Sequence, residues 1–277
     1  MSGFEFIWML FLLSALQPVV ARKFMDASRQ QRISQIERER GSRVIVLIHR
    51  QETMGFLGFP LMKYIDMQDS EQVLRAIHMT DDDIPLDIIV HTPGGLVLAS
   101  VQIARAIRAH PSKVTVFVPH MAMSGGTLIA LAGDEVIMCE HSVLGPIDPQ
   151  INQKPAVSII KAVDDKPISE VDDETLIQAD VARKAIAQLR ETVGKILPQT
   201  MPGDAREKLI GQLVDGKWTH DYPILAEDAA GMGIPISTKM PETILELMTM
   251  YPQTKRMQRS VEFSPGPRAP APQEAQR

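Results

Sequence analysis

Residues 85–95 read PLDIIVHTPGG, and residues 113–127 read KVTVFVPHMAMSGGT. Each begins as a short run of branched and apolar side chains, the signature of a buried strand. Each ends in a glycine pair, Gly94-Gly95 or Gly125-Gly126, followed by apolar residues at helical spacing. Strand, glycine turn and helix, twice in succession, predict a parallel sheet with crossover helices. In such sheets ligands bind where strands give way to helices. Glycine lets the backbone approach a ligand closely there, and helix N-termini direct free N–H groups outward.

The pattern extends in both directions. Arg43–His49 and Glu135–Cys139 read as further strands, and the run from Asp69 to Met79 as a helix with Asp69 as a candidate N-cap. Helices are expected over Leu96–Ala109 and from Ser124 through Leu131. Beyond residue 150 the spacing turns helical over Ser158–Val163, Glu174–Ile196 and Asp204–Leu213. A short strand at Gly216–Trp218 and a helix at Ile224–Gly231 complete the expected domain, residues 43–251. From residue 252 to 277 the chain is rich in proline and basic residues, a composition expected of a disordered tail.

Bulk composition narrows the chemistry. At 277 residues and 44% hydrophobic, the chain suits one good core and is too short for two large domains. A formal net charge of -5 gives no global basic footprint, so no nucleic-acid partner is expected. One cysteine, Cys139, excludes an intrachain disulfide framework and a cysteine-cluster metal site. The histidines are scattered and no H-E-x-x-H occurs, so no metal is expected. No G-x-G-x-x-G fingerprint or P-loop occurs either, and no cofactor is expected.

Ser124 sits where the second strand gives way to its helix. That is the setting of a nucleophile exposed on a tight turn, and it also suits a simple helix N-cap. The backbone N–H groups of Gly95 and Gly125 are the candidate oxyanion hole, and Gly94 and Gly126 are expected to line the substrate path. Paired with the HTPGG turn upstream, the SGG turn favours the nucleophile.

The motifs His91-Thr92-Pro93-Gly94-Gly95, Met123–Thr127 and Leu144-Gly145-Pro146-Ile147-Asp148-Pro149-Gln150 resemble the Clp-fold serine peptidases. Within them the chain is most similar to the SppA-like branch known as the serine dehydrogenase proteinase (SDH) family. Ile160–Lys184 and Trp218–Ile224 share that likeness, which covers roughly residues 43–252. The resemblance implies an α/β ClpP/crotonase-like fold of ββα repeats, a homo-oligomer, and peptide hydrolysis through an acyl-enzyme. In one departure, Gly125 stands where the family usually has alanine, which keeps the N–H and loosens the turn.

A serine nucleophile needs a base. Where ClpP-like relatives carry their histidine, this chain has Asp148 and Pro149. SppA-like relatives use a lysine, and Lys184 resembles it, with Lys161 and Lys166 as rivals. A lysine base must be neutral, so burial must depress its pKa; Asp180, one turn before Lys184, would oppose that. His220, with Asp221 beside it, is the remaining candidate. His91 is expected to orient the glycine turn through its ring.

Residues 1–21 contain an apolar run, Phe6–Ala21, expected as a transmembrane segment. As a helix it spans about 24 Å, slightly short of a roughly 30 Å hydrocarbon core. A cleaved signal peptide or a buried helix would also fit. Seven basic against three acidic residues over 22–43 follow the run, which places this side in the cytoplasm. Residues 22–42 read as a charged stalk. The sequence thus points to a membrane-anchored serine endopeptidase acting on peptides or membrane-associated proteins. A non-catalytic Clp-fold scaffold and a crotonase-type acyl-CoA enzyme are the alternatives.

Overall fold

The computed structural model describes residues 3–49, 63–198 and 200–251, with the backbone alone at residues 3–15, 18, 19 and 22. The first half alternates as the sequence predicts. Helix α1 (Gly3–Arg40) leads into β1 (Arg43–Ile48), then α2 (Met67–His78), β2 (Leu86–His91), α3 (Val97–Ala109) and β3 (Val114–Val118). A two-residue strand, β4 (Met121–Ala122), precedes α4 (Gly125–Leu131) and β5 (Glu135–Met138). Next come β6 (Val143–Leu144), a small hairpin of β7 (Gln150–Ile151) and β8 (Lys154–Pro155), and helices α5 (Ala156–Asp164), α6 (Asp173–Ile196) and α7 (Gly203–Val214). β9 (Ile224–Leu225), α8 (Ala226–Gly231), β10 (Ile236–Ser237) and α9 (Glu242–Thr249) close the described chain.

Five strands form one parallel sheet in the order β1-β2-β3-β5-β10. Side chains alternate across a strand, and here both faces are apolar. Ile45, Leu47, Ile88, Val90, Val116, Val118, Val136 and Met138 join the larger core, shared with α2, α3, α4, α6 and α7. Val44, Ile89, Phe117 and Ile137 face the other way, onto Ile36 of α1 and Ile244, Leu247 and Met248 of α9. The result is the three-layer α/β arrangement that uninterrupted hydrophobic strands require. It is consistent with a ClpP-like fold.

Several boundaries differ from the sequence expectation. The α2 N-cap is Asp66, not Asp69; Asp69 is the N3 partner of a capping box that closes onto the Asp66 N–H. No strand forms at 216–218. Gly216 takes a φ of 68° and turns the chain, and Trp218 instead stacks on Tyr222 at 5.0 Å between ring centroids. The strand comes later, as β9, so the helix expected from Ile224 starts at Ala226.

The expected stalk, residues 22–42, is continuous with the apolar run as the single helix α1, and its last turns belong to the core. Arg29 donates to the Met250 carbonyl at 2.8 Å and lies over the Tyr251 ring. Arg32 pairs with Glu246 of α9 at 2.7 Å. Asp87, buried on β2, accepts two bonds from the Arg40 guanidinium and one from the Ser42 hydroxyl at 2.6 Å. Most side chains of the run Phe6–Ala21 lie outside the described residues, as does the tail from residue 252. Among the described residues no helix is long and apolar enough to cross a membrane.

Because Arg40 compensates a buried carboxylate, Arg40→Ala is expected to destabilise the fold by about 2–3 kcal/mol. Urea unfolding of the two proteins measures it, and a loss below about 0.5 kcal/mol would contradict that role.

Candidate active site

The two glycine turns meet. Thr92, the residue after β2, forms a bridge with Ala122 of β4. Its N–H donates to the Met121 carbonyl at 3.1 Å, and its carbonyl accepts from the Met123 N–H at 3.0 Å. That clamp brings Gly94 against Ser124: a Cβ at Gly94, where φ is 106°, would lie 2.8 Å from the Ser124 Cβ. Gly95 is held equally tightly by Ile65, whose N–H donates to the Gly94 carbonyl while its own carbonyl accepts from Leu96, both at 2.8 Å. A side chain at Gly95 would strike that backbone at 2.3 Å.

Ser124 has φ 51° and ψ -115°, a conformation that L side chains rarely adopt. Its hydroxyl makes no capping bond to α4, which removes the plain N-cap role. Among the described residues the hydroxyl has no hydrogen-bond partner, and no acceptor takes the N–H of Gly95 or of Gly125. An oxygen on a strained turn thus stands beside the turn that carries Gly94 and Gly95, with Gly125 next to it in the chain. Strain held by surrounding structure in this way is characteristic of functional turns.

The departure at Gly125 has a packing cause. A Cβ there would lie 2.2 Å from the Ser100 Oγ of α3, which is itself fully buried and donates to the Leu96 carbonyl. Glycine is what lets α3 and α4 pack at this distance. The turn is not loosened, because Ser100 occupies the space an alanine methyl would fill. Gly126 does the same toward Thr92, whose methyl would be 2.5 Å from an added Cβ. Gly126 therefore serves packing, and its expected place along the substrate path has no separate support.

A buried polar chain supports the Gly94 turn, and sequence reasoning missed it. Asp69 of α2 lies 3.1 Å from His49 Nε2, and His49 Nδ1 lies 2.9 Å from Thr92 Oγ1. The carboxylate can only accept, so Nε2 carries the hydrogen and Nδ1 accepts the Thr92 hydroxyl. Thr92 Oγ1 in turn accepts the Gly94 N–H at 3.1 Å. Burial holds the His49 pKa below its ordinary value, opposed by Asp69, which keeps the ring neutral as this polarity needs. The available signal was a histidine at a strand end and a threonine inside a glycine turn; neither names its partner. His91 is buried and its ring lies 5.3 Å from that of His120.

The base candidates fall into two kinds. Lys184 lies exposed on α6 and pairs with Asp180 at 2.5 Å. Lys161 lies exposed on α5 and pairs with Asp165 at 2.7 Å, which raises its pKa, the direction opposite to a neutral base. His220 is part-buried, and its partner is Asp148 rather than the expected Asp221: Nδ1 lies 2.8 Å from Asp148 Oδ1. That bond is the main cause lifting the His220 pKa above its ordinary value. Among the described residues no group of histidine, cysteine and carboxylate side chains could hold a metal ion.

The model of the family described as "ClpP-like SDH-type serine proteinase" matches residues 1–277. Two uncharacterized proteins of Methanocaldococcus jannaschii are similar throughout. One is 47% identical over 260 residues, covering 94% of this chain and 91% of that one. The other is 46% identical over 267 residues, covering 96% and 90%.

The packing account of Gly125 is testable. Gly125→Ala is expected to cost about 1–3 kcal/mol of stability through overpacking. In a double-mutant cycle with Ser100→Gly the two changes should couple by about 1 kcal/mol or more. Independent, additive effects in urea unfolding would rule the contact out.

Proposed function

The chain belongs to the ClpP-like SDH-type serine proteinase family, and from that premise we propose that it hydrolyses peptide bonds through an acyl-enzyme on Ser124. The observation that carries this is the Ser124 turn: positive φ, no capping bond and, among the described residues, no partner for the hydroxyl or for the N–H groups of Gly95 and Gly125. Attack by Ser124 Oγ turns the scissile carbonyl oxygen into an oxyanion. The Gly95 and Gly125 N–H groups receive that charge, and donors already in place cost no reorganisation at the moment of reaction. The steric limits at Gly94 and Gly95 support such preorganisation, since this turn is closed in by Met123 and Ser124 on one side and by the Ile65 backbone on the other.

The N-terminal part of α1 acts as a membrane anchor, with the catalytic domain on the cytoplasmic side. The apolar run and the basic excess behind it support that placement. Substrates are then peptides or proteins at the membrane surface. Self-association is supported by exposed apolar side chains at Ile168 and on α6, where Ile177 and Val181 lie one turn apart.

A fluorophosphonate probe tests the nucleophile. The full chain in detergent is expected to form one adduct, located at Ser124 by peptide mass spectrometry, and Ser124→Ala none. An adduct elsewhere, or none on the wild type, refutes the assignment. Ser124→Gly removes both the hydroxyl and the strain, so it should abolish labelling while raising unfolding stability by about 1 kcal/mol.

A further inference from the structure

The small sheet β4-β6-β9 fixes where three side chains stand. β4 and β6 run parallel with Ala122 opposite Leu144, and β6 and β9 run antiparallel with Leu144 opposite Ile224. Beyond that rung the chain reaches Ser124 shortly after Ala122, and Asp148 shortly after Leu144. Because β9 runs the other way, His220, which precedes Ile224, lies off the same end. Ser124, Asp148 and His220 therefore rise from one edge of one three-stranded sheet, although they are far apart in sequence.

From this juxtaposition and the His220–Asp148 contact we propose that His220 is the general base for Ser124 and that Asp148 is the residue positioning it; the proposal rests on Ser124 being the nucleophile. The order along the chain is serine, aspartate, histidine.

The local chemistry suits the role. Asp148 is almost fully buried and is held by two contacts, His220 Nδ1 at 2.8 Å and a bond from Gln150 Nε2 at 2.6 Å. A carboxylate accepts only, so Nδ1 of His220 carries the hydrogen and Nε2 keeps its lone pair. Among the described residues Nε2 has no partner. The loop that carries His220 is braced on both sides, by Trp218 packed on the core and stacked with its plane 3° from that of Tyr222. Among the described residues the Ser124 hydroxyl and His220 Nε2 are both unbonded, and the proposed role requires them to meet in the substrate complex, where catalytic hydrogen bonds commonly tighten.

The steps balance. As Ser124 Oγ bonds to the carbonyl carbon, its proton passes to His220 Nε2 and the electron pair of the C=O bond moves onto oxygen. The tetrahedral intermediate collapses, the C–N bond breaks, and the imidazolium gives that proton to the leaving amine. Water then attacks the acyl-enzyme, loses a proton to Nε2, and the proton returns to Ser124 Oγ as the carboxylic acid product leaves. Asp148 accepts the Nδ1 hydrogen throughout and steadies the imidazolium. Lys161 fits these steps poorly within one chain, because its bond to Asp165 raises its pKa, and Lys184 lies exposed in an ion pair with Asp180.

The test is the rate of fluorophosphonate labelling at Ser124 in the full chain, followed by mass spectrometry against pH. Asp148 and Asp221 are the charged groups facing His220, and both favour its protonated form. The wild-type rate should therefore rise with pH through an inflection above the ordinary histidine value of about 6.5. His220→Gln should lower the rate at least about 100-fold, and imidazole should restore part of it in His220→Ala. Asp148→Asn should slow labelling and move the inflection down. A rate without an inflection between about pH 5 and 9 overturns the proposal without recourse to any variant. So does His220→Gln labelling at the wild-type rate, or loss of labelling in Lys184→Ala with retention in His220→Gln. Absence of labelling in the wild type overturns the Ser124 assignment itself, and the two failures are thereby distinct.

Discussion

Thr92 is the joint on which the site depends. Its backbone spans the gap between β2 and β4, and its side chain ties His49 to the Gly94 N–H. Its methyl fills the space left by the missing side chain of Gly126. With no exposure to solvent, every polar group on it must be satisfied internally. The backbone bonds set the separation of the two glycine turns, and the hydroxyl sets the tilt of the first one. The close approach of Gly94 to Ser124 follows from those constraints.

The second constraint is the layer formed by α1 and α9. A parallel sheet with two apolar faces needs cover on both. Ile36, Ile244, Leu247 and Met248 supply it on the face away from the larger core. Asp87 makes this cover directional, since a buried carboxylate on β2 needs the Arg40 guanidinium and the Ser42 hydroxyl above it. The helix that carries the apolar N-terminal run is thereby fastened to the sheet whose strand β2 leads into the Gly94 turn.

The turns of the proposed site are backbone held rigid by packing. Ser124 is strained, Gly95 is enclosed by Ile65, and Gly125 is enclosed by Ser100. Each of these contacts costs freedom that the folded core offsets, and among the described residues the Gly95 and Gly125 N–H groups and the Ser124 hydroxyl stay unbonded. The proposed base stands apart from these turns, beside a different sheet. The small sheet β4-β6-β9 brings in the Asp148 and His220 segments, which the large sheet does not reach.

Much of the fold was legible in the sequence. The strand–glycine–helix repeats over residues 85–127 determine a parallel sheet, because β-branched runs and helical spacing leave few other topologies. Ser124 and the glycine turns were legible for the same reason, since a turn motif is local. Gly125 was misjudged as a loose turn because its constraint, Ser100, lies on another helix. The Asp148 partner of His220 was hidden because 72 residues separate them. Asp221 looked like the partner only because it is adjacent in the chain. Residues 216–218 have the composition of a strand, yet the positive φ of Gly216 and the Trp218–Tyr222 stack make them a turn. By itself, then, the sequence determined the elements and the sheet type and singled out Ser124 on its glycine turn, all of which depend on short-range patterns. Only the tertiary structure decided which polar side chains meet, because those contacts are set by strand register and helix packing between distant segments.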